Sequence, residues 1–170
     1  ALSVSPKVIE VSSKPNILDD YNFKECLEYW NSATKKLILV GVNEPNSIDK
    51  KWLDELAEDD SVIVFTETTS NIHHKSFFPS IDQIIAPLSE EQHKALQPDI
   101  LITFGGLIVS KKIKGLLRKN KPKQHWHIDT QKANDTFFCL SNHIETTPNH
   151  FFESLLPRIT HHVNSYYKGV

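Results

Sequence analysis

The side chains with the most chemical potential lie in three short stretches. Gly105-Gly106 follows an apolar run and precedes Ser110 and Lys111, which open an amphipathic segment. Free backbone N–H groups at a helix start favour negative charge, so Gly105, Gly106, Ser110 and Lys111 form a candidate anion site. The same residues also suit a plain strand-to-helix turn that uses glycine for backbone freedom, with no ligand. His125, His127 and Asp129 alternate along a predicted strand and so share one face. Histidine and carboxylate are metal donors, but no fourth ligand is identifiable, and such alternation also marks a partly exposed strand face. Glu67 follows another apolar run and could act as a general base, or simply be solvated. In His73-His74 and His161-His162, neighbouring side chains point apart and read as surface residues.

Several chemistries lack their signatures. The loop Gly41-Val42-Asn43-Glu44-Pro45-Asn46 has none of the repeated glycines with which a dinucleotide fold approaches a pyrophosphate. A phosphate loop ending in Gly-Lys-Ser is absent, as is the Gly-x-Ser-x-Gly turn of serine hydrolases. Five glycines in 170 residues make a phosphate cradle a poor expectation.

Lys111, Lys112, Lys114, Arg118, Lys119, Lys121 and Lys123 form a basic run without an acid. No aromatic residue interleaves them, so they suit a solvated helix face or a surface meeting an acidic partner better than a nucleic-acid groove. The formal charge of −2 likewise argues against nucleic acid. With 39% apolar and 24% charged residues the chain has an ordinary globular composition. No run reaches the roughly 20 apolar residues of a membrane span. Cys26 and Cys139 both sit in apolar segments, as small thiols of a reduced, cytoplasmic protein do. There is no methionine and no signal-peptide pattern, so the chain reads as a piece of something longer.

These residues need elements to position them. Residues 1–20, interrupted by Pro6 and Pro15, read as an extended lead-in, and residues 21–168 as one domain. Apolar runs at Lys36–Val42, Ser61–Phe65 and Asp99–Phe104 read as strands covered on both faces, with Gln124–Ile128 a fourth and Thr136–Leu140 a fifth. Helices are expected from Asn22 (capping box with Glu25), from Ser47, over Phe77–Ala86, from Ser89 (capping box with Gln92), from Ser110, and from Pro148, with Pro157 breaking the last. Alternating strands and helices give an α/β fold: a three-layer, mostly parallel, Rossmann-like sheet with helices on both faces.

The stretch Gln97-Pro98-Asp99-Ile100-Leu101-Ile102-Thr103-Phe104-Gly105-Gly106-Leu107-Ile108-Val109-Ser110-Lys111-Lys112, with His125-Trp126-His127-Ile128-Asp129 downstream, resembles the central domain of 2-succinyl-5-enolpyruvyl-6-hydroxy-3-cyclohexene-1-carboxylate synthases. Lys36–Gly41 and Val64–Asn71 fit the first two strands of that domain and the loop after them. The resemblance implies a transferase of menaquinone biosynthesis that decarboxylates 2-oxoglutarate on thiamine diphosphate, with a divalent metal (Mg or Mn), and adds the succinyl unit to isochorismate. It also implies that amino- and carboxy-terminal domains of the same enzyme bind that cofactor, in a homo-oligomer. The Gly-Asp-Gly motif of the metal-binding domain is absent from these residues. No catalytic, cofactor or metal residue is therefore carried over, and the chain by itself is expected to be inactive. The alternative is a stand-alone Rossmann-like module that binds a nucleotide or small ligand at Gly105-Gly106 and Ser110.

Overall fold

The structure, a computed structural model, describes residues 20–161 and 167–169. Five parallel strands form one sheet: β1 (Lys36–Val40), β2 (Val62–Thr66), β3 (Ile100–Phe104), β4 (Gln124–Ile128) and β5 (Asn142–Ile144), in the order β2-β1-β3-β4-β5. Register runs from Lys36 opposite Val62 and Ile100 through Ile100 opposite Gln124 to Trp126 opposite Asn142. The chain reverses its direction of travel across the sheet between β1 and β3, the switch point beyond which ligands sit in many α/β folds.

Strand periodicity explains why the first three runs are largely apolar on both faces. Ile38, Val40, Val64, Ile102 and Phe104 join one core, while Leu37, Leu39, Ile63, Phe65 and Leu101 join the other. The first core is closed by α1 (Asp20–Ser32), α2 (Lys50–Glu58) and α6 (Pro148–Leu155) through Trp30, Trp52, Leu56, Phe151 and Phe152. The second is closed by α3 (Ile81–Ile85), by Leu96 at the end of α4 (Glu90–Ala95), and by α5 (Lys111–Lys119) through Ile113, Leu116 and Leu117. Each fully buried side chain of this kind stabilises the fold by roughly 1.5–3 kcal/mol. The three-layer α/β expectation therefore holds.

Several boundaries differ from expectation. The fifth strand lies at Asn142–Ile144, while residues 136–140 belong to a loop whose Phe137 plugs the second core against the ring of His125. Helix α1 begins at Asp20, so Asn22 falls within its first turn rather than at its cap. Asp49, not Ser47, precedes α2, and the Ser47 hydroxyl is buried without a partner. The Phe77–Ala86 helix shrinks to α3, because Phe78 exchanges backbone bonds with Val64 and Thr66 beside β2. Ser89, Ser110 and Thr147 cap α4, α5 and α6 as their sequences suggest, and Leu156–Arg158 leaves the α-helical path at Pro157. The lead-in over residues 1–19 and His162 lie outside the described residues. No helix among the described residues is long and apolar enough to cross a membrane.

Candidate functional site

Three loops meet at the carboxyl end of the sheet: residues 41–49 after β1, 67–80 after β2 and 105–110 after β3. Gly41 N–H donates to the Phe104 carbonyl at 2.9 Å and Gly106 N–H to the Val42 carbonyl at 2.7 Å. A Cβ on Gly41 would lie 2.2 Å from the Gly106 carbonyl oxygen, which only glycine permits. Gly105 has φ of +79°, and a Cβ there would lie 2.5 Å from Asn43 Nδ2. Asn43 N–H in turn donates to the Thr69 carbonyl, and Asn71 Nδ2 donates to the Asn43 carbonyl at 2.7 Å. These glycines therefore let two loops close on each other across the switch point.

The start of α5 is likewise satisfied from within. The Glu67 carboxylate accepts Val109 N–H at 2.8 Å and Ser110 N–H at 2.7 Å. The Ser110 hydroxyl accepts Ile113 N–H and donates to Asp82 on α3. An anion at a helix N-terminus is stabilised by the unpaired N–H groups and the helix dipole, and here that anion is a side chain of the chain itself. The N–H groups of Val109, Ser110 and Ile113 are thus engaged by side chains of the chain itself. Lys111 and Lys112 remain exposed beside them. A shallow groove of about 330 Å³ runs between Glu67, Ser80, Asp82 and Ser110.

The rest of the basic run is tied down. Lys114 Nζ donates to the Ile108 carbonyl, and Arg118 donates to the Thr136 carbonyl while stacking over Phe138. Lys121 reaches the Phe138 carbonyl, Lys119 pairs with Glu90 and Lys123 with Asp99. Phe138 itself is an exposed aromatic at φ +58°. The run thus staples neighbouring loops onto α5 rather than presenting a uniform cationic face.

His125 and His127 do share a face, meeting at the Thr103 hydroxyl, 2.9 Å from His125 Nε2 and 2.8 Å from His127 Nδ1. His125 is buried, Phe137 covers its ring, and its Nδ1 has no partner. Burial, reinforced by the neighbouring His127, lowers its pKa to about 4, and burial also lowers that of His127. Asp129 does not join them: its carboxylate accepts the N–H groups of Gln131 and Lys132. Among the described residues no three metal-donating side chains converge. His74 approaches Asp54 at 3.3 Å, while His73 and His161 are exposed. Cys26 and Cys139 are both free thiols, and burial raises that of Cys26 to about 11.

Glu67 was visible in the sequence only as an unpaired loop acid. Its partners lie 42 and 43 residues away, so the contact is created by the fold, and the sequence signal is no more than an acid after one strand and a capped helix after another.

No family model matches the chain. Among curated proteins it is 49% identical over 172 residues to the 2-succinyl-5-enolpyruvyl-6-hydroxy-3-cyclohexene-1-carboxylate synthase of Flavobacterium johnsoniae, covering 99% of this chain and 31% of that protein. The synthase of the same name from Flavobacterium psychrophilum is 48% identical, covering 93% of this chain and 28% of that protein. That of Christiangramia forsetii is 46% identical, covering 82% and 25%. The chain thus spans between a quarter and a third of the length of these relatives.

Proposed function

We propose that this chain, which belongs by sequence to the 2-succinyl-5-enolpyruvyl-6-hydroxy-3-cyclohexene-1-carboxylate synthases as a segment of about a third of their length, is the central, non-catalytic α/β domain of such an enzyme in menaquinone biosynthesis. The observation that carries this reading is the 49% identity across 99% of the chain. The whole enzyme decarboxylates 2-oxoglutarate and adds the succinyl unit to isochorismate. Thiamine diphosphate supplies the carbanion chemistry when bound. The residues described here do not fit that cofactor: the switch-point loops close on each other, and no metal-donating group of three is assembled. On this reading the cofactor and its divalent metal are held by amino- and carboxy-terminal domains of the same polypeptide, within a homo-oligomer. This domain spaces and orients those domains. Lys111 and the adjacent Lys112, exposed at the carboxyl end of the sheet, offer positive charge to an anionic group brought to the domain boundary.

The reading is tested by expressing the full reading frame that contains this chain. With thiamine diphosphate, Mg²⁺, 2-oxoglutarate and isochorismate the full-length protein turns over, and the 170-residue chain alone does not. Decarboxylation by the 170-residue chain, or a full-length protein without synthase activity, would contradict it. Lys111→Ala in the full-length enzyme is expected to raise a substrate KM more than it lowers kcat, as loss of a binding charge does.

A further inference from the structure

The carboxyl end of the sheet carries an inside-out feature. Val42 is 44% exposed, Leu107 71% and Val109 57%, and these are three of the five large apolar residues exposed among the described residues. Two loops bring them to the same end of the sheet: Gly106 lies against the Val42 side chain, and Leu107 and Val109 follow it in the chain. The segment that bears them is held at both ends. Gly106 N–H bonds the Val42 carbonyl at one end, and the Glu67 carboxylate fixes the backbone of Val109 and Ser110 at the other. Exposed apolar side chains scattered singly over a surface are ordinary and carry no message. An apolar tip on a pre-ordered backbone loses little further freedom on docking, the condition under which such a contact gains affinity.

We infer that Val42, Leu107 and Val109 form a docking tip that inserts into an apolar recess on another domain of the same synthase polypeptide. This rests on the functional reading above, since the chain is 31% of its relative's length and roughly two thirds of such an enzyme lies outside it. Docking places Lys111 and Lys112 at the boundary between the domains. Glu67 is a positioning residue for the tip and touches no partner itself.

The test is cysteine labelling. Leu107→Cys, and Glu91→Cys as an exposed control on α4, are each introduced into a Cys139→Ser background, in the 170-residue chain and in the full-length enzyme. Maleimide addition is followed at each site by peptide mass spectrometry. Because Leu107 is exposed, Leu107→Cys leaves the melting curve of the chain unchanged. The expected result is labelling at position 107 at least about tenfold slower in the full-length enzyme than in the chain, with the control within about twofold. Equal rates at position 107 in an active full-length enzyme would overturn the docking and leave the functional reading intact. Protection at position 107 in a full-length protein without synthase activity would uphold the docking and overturn that reading. Protection that grows with concentration in the 170-residue chain would identify a second copy as the occupant and overturn the proposal.

Discussion

The two ends of the sheet solve opposite problems. At the amino end a full charge is inside: Lys36, the first residue of β1, is completely buried, with Nζ 2.5 Å from the Ser61 hydroxyl, 3.7 Å from Asp59 and 5.1 Å from the centre of the Trp30 ring. Burial lowers its pKa, and Asp59 opposes that shift. Nearby, Asp99 collects the N–H groups of Thr34 and Lys35 and the ammonium of Lys123. Burial alone would raise its pKa, but these partners outweigh burial and lower it. At the carboxyl end apolar side chains are outside, and the polar backbone beneath them is satisfied by Glu67, Asn43 and Asn71. A charge pair locked inside is costly to break one partner at a time, whereas apolar surface on a rigid frame suits contact with something else. The difference makes the first end intolerant of losing one partner and suits the second to assembly.

The comparison breaks most visibly at Lys36. Lys36→Met leaves the Asp59 carboxylate buried and uncompensated, and should cost about 3–5 kcal/mol in urea unfolding. Lys36→Met with Asp59→Leu should recover much of that loss, because the desolvation cost disappears with both charges. A single substitution costing under about 1 kcal/mol would mean that Asp59 is not left as a buried, unpaired charge.

Next in size is a pH effect from the middle of the sheet. The folded pKa of His125 lies near 4 against an unfolded value near 6.5, so the unfolded chain binds the extra proton between those limits. Stability should therefore fall as pH drops from about 6.5 to 4, by at most about 3 kcal/mol from this group, and level off below. His127 acts in the same direction. His125→Gln should flatten the profile, and an unchanged slope would contradict burial as its cause.

The carboxyl end gives smaller effects on the chain itself. Gly41→Ala forces two backbones apart and should cost about 1–3 kcal/mol. Glu67→Ala, at a half-buried site, should cost about 1–2 kcal/mol in the chain, since two N–H groups lose a charged acceptor. In the full-length enzyme it should weaken activity further, because the docking tip loosens. Equal effects of Glu67→Ala in chain and enzyme would make the clamp purely a stability feature.

Much of the frame was legible in the sequence, for physical reasons that also mark where legibility stops. Lys36–Val40, Val62–Thr66 and Ile100–Phe104 announce themselves because both of their faces must be apolar. The short β5 does not, since Asn142-His143-Ile144 buries only its last residue fully, while the more apolar 136–140 stretch supplies Phe137 from a loop. Burial is visible in composition, but whether a strand or a loop provides it is not. Ser110 was legible as a cap because capping is local. The clamp by Glu67, the burial of Lys36 and the stapling by Arg118 join residues far apart in sequence, and each depends on the completed topology. The basic run looked like a solvated face because loop carbonyls, the partners of three of its members, leave no mark in a sequence.

The most direct test of the central proposal, that the carboxyl end of this chain is built for contact and holds no cofactor pocket of its own, is a thermal-shift titration of the 170-residue chain. Thiamine diphosphate with Mg²⁺, FAD, ADP and NAD should each move the midpoint by less than about 1 °C, since a ligand that does not bind the native state adds no stability. A saturable rise of several degrees with any of them, abolished by Lys111→Ala, would show a working pocket where the closed loops lie and contradict the account.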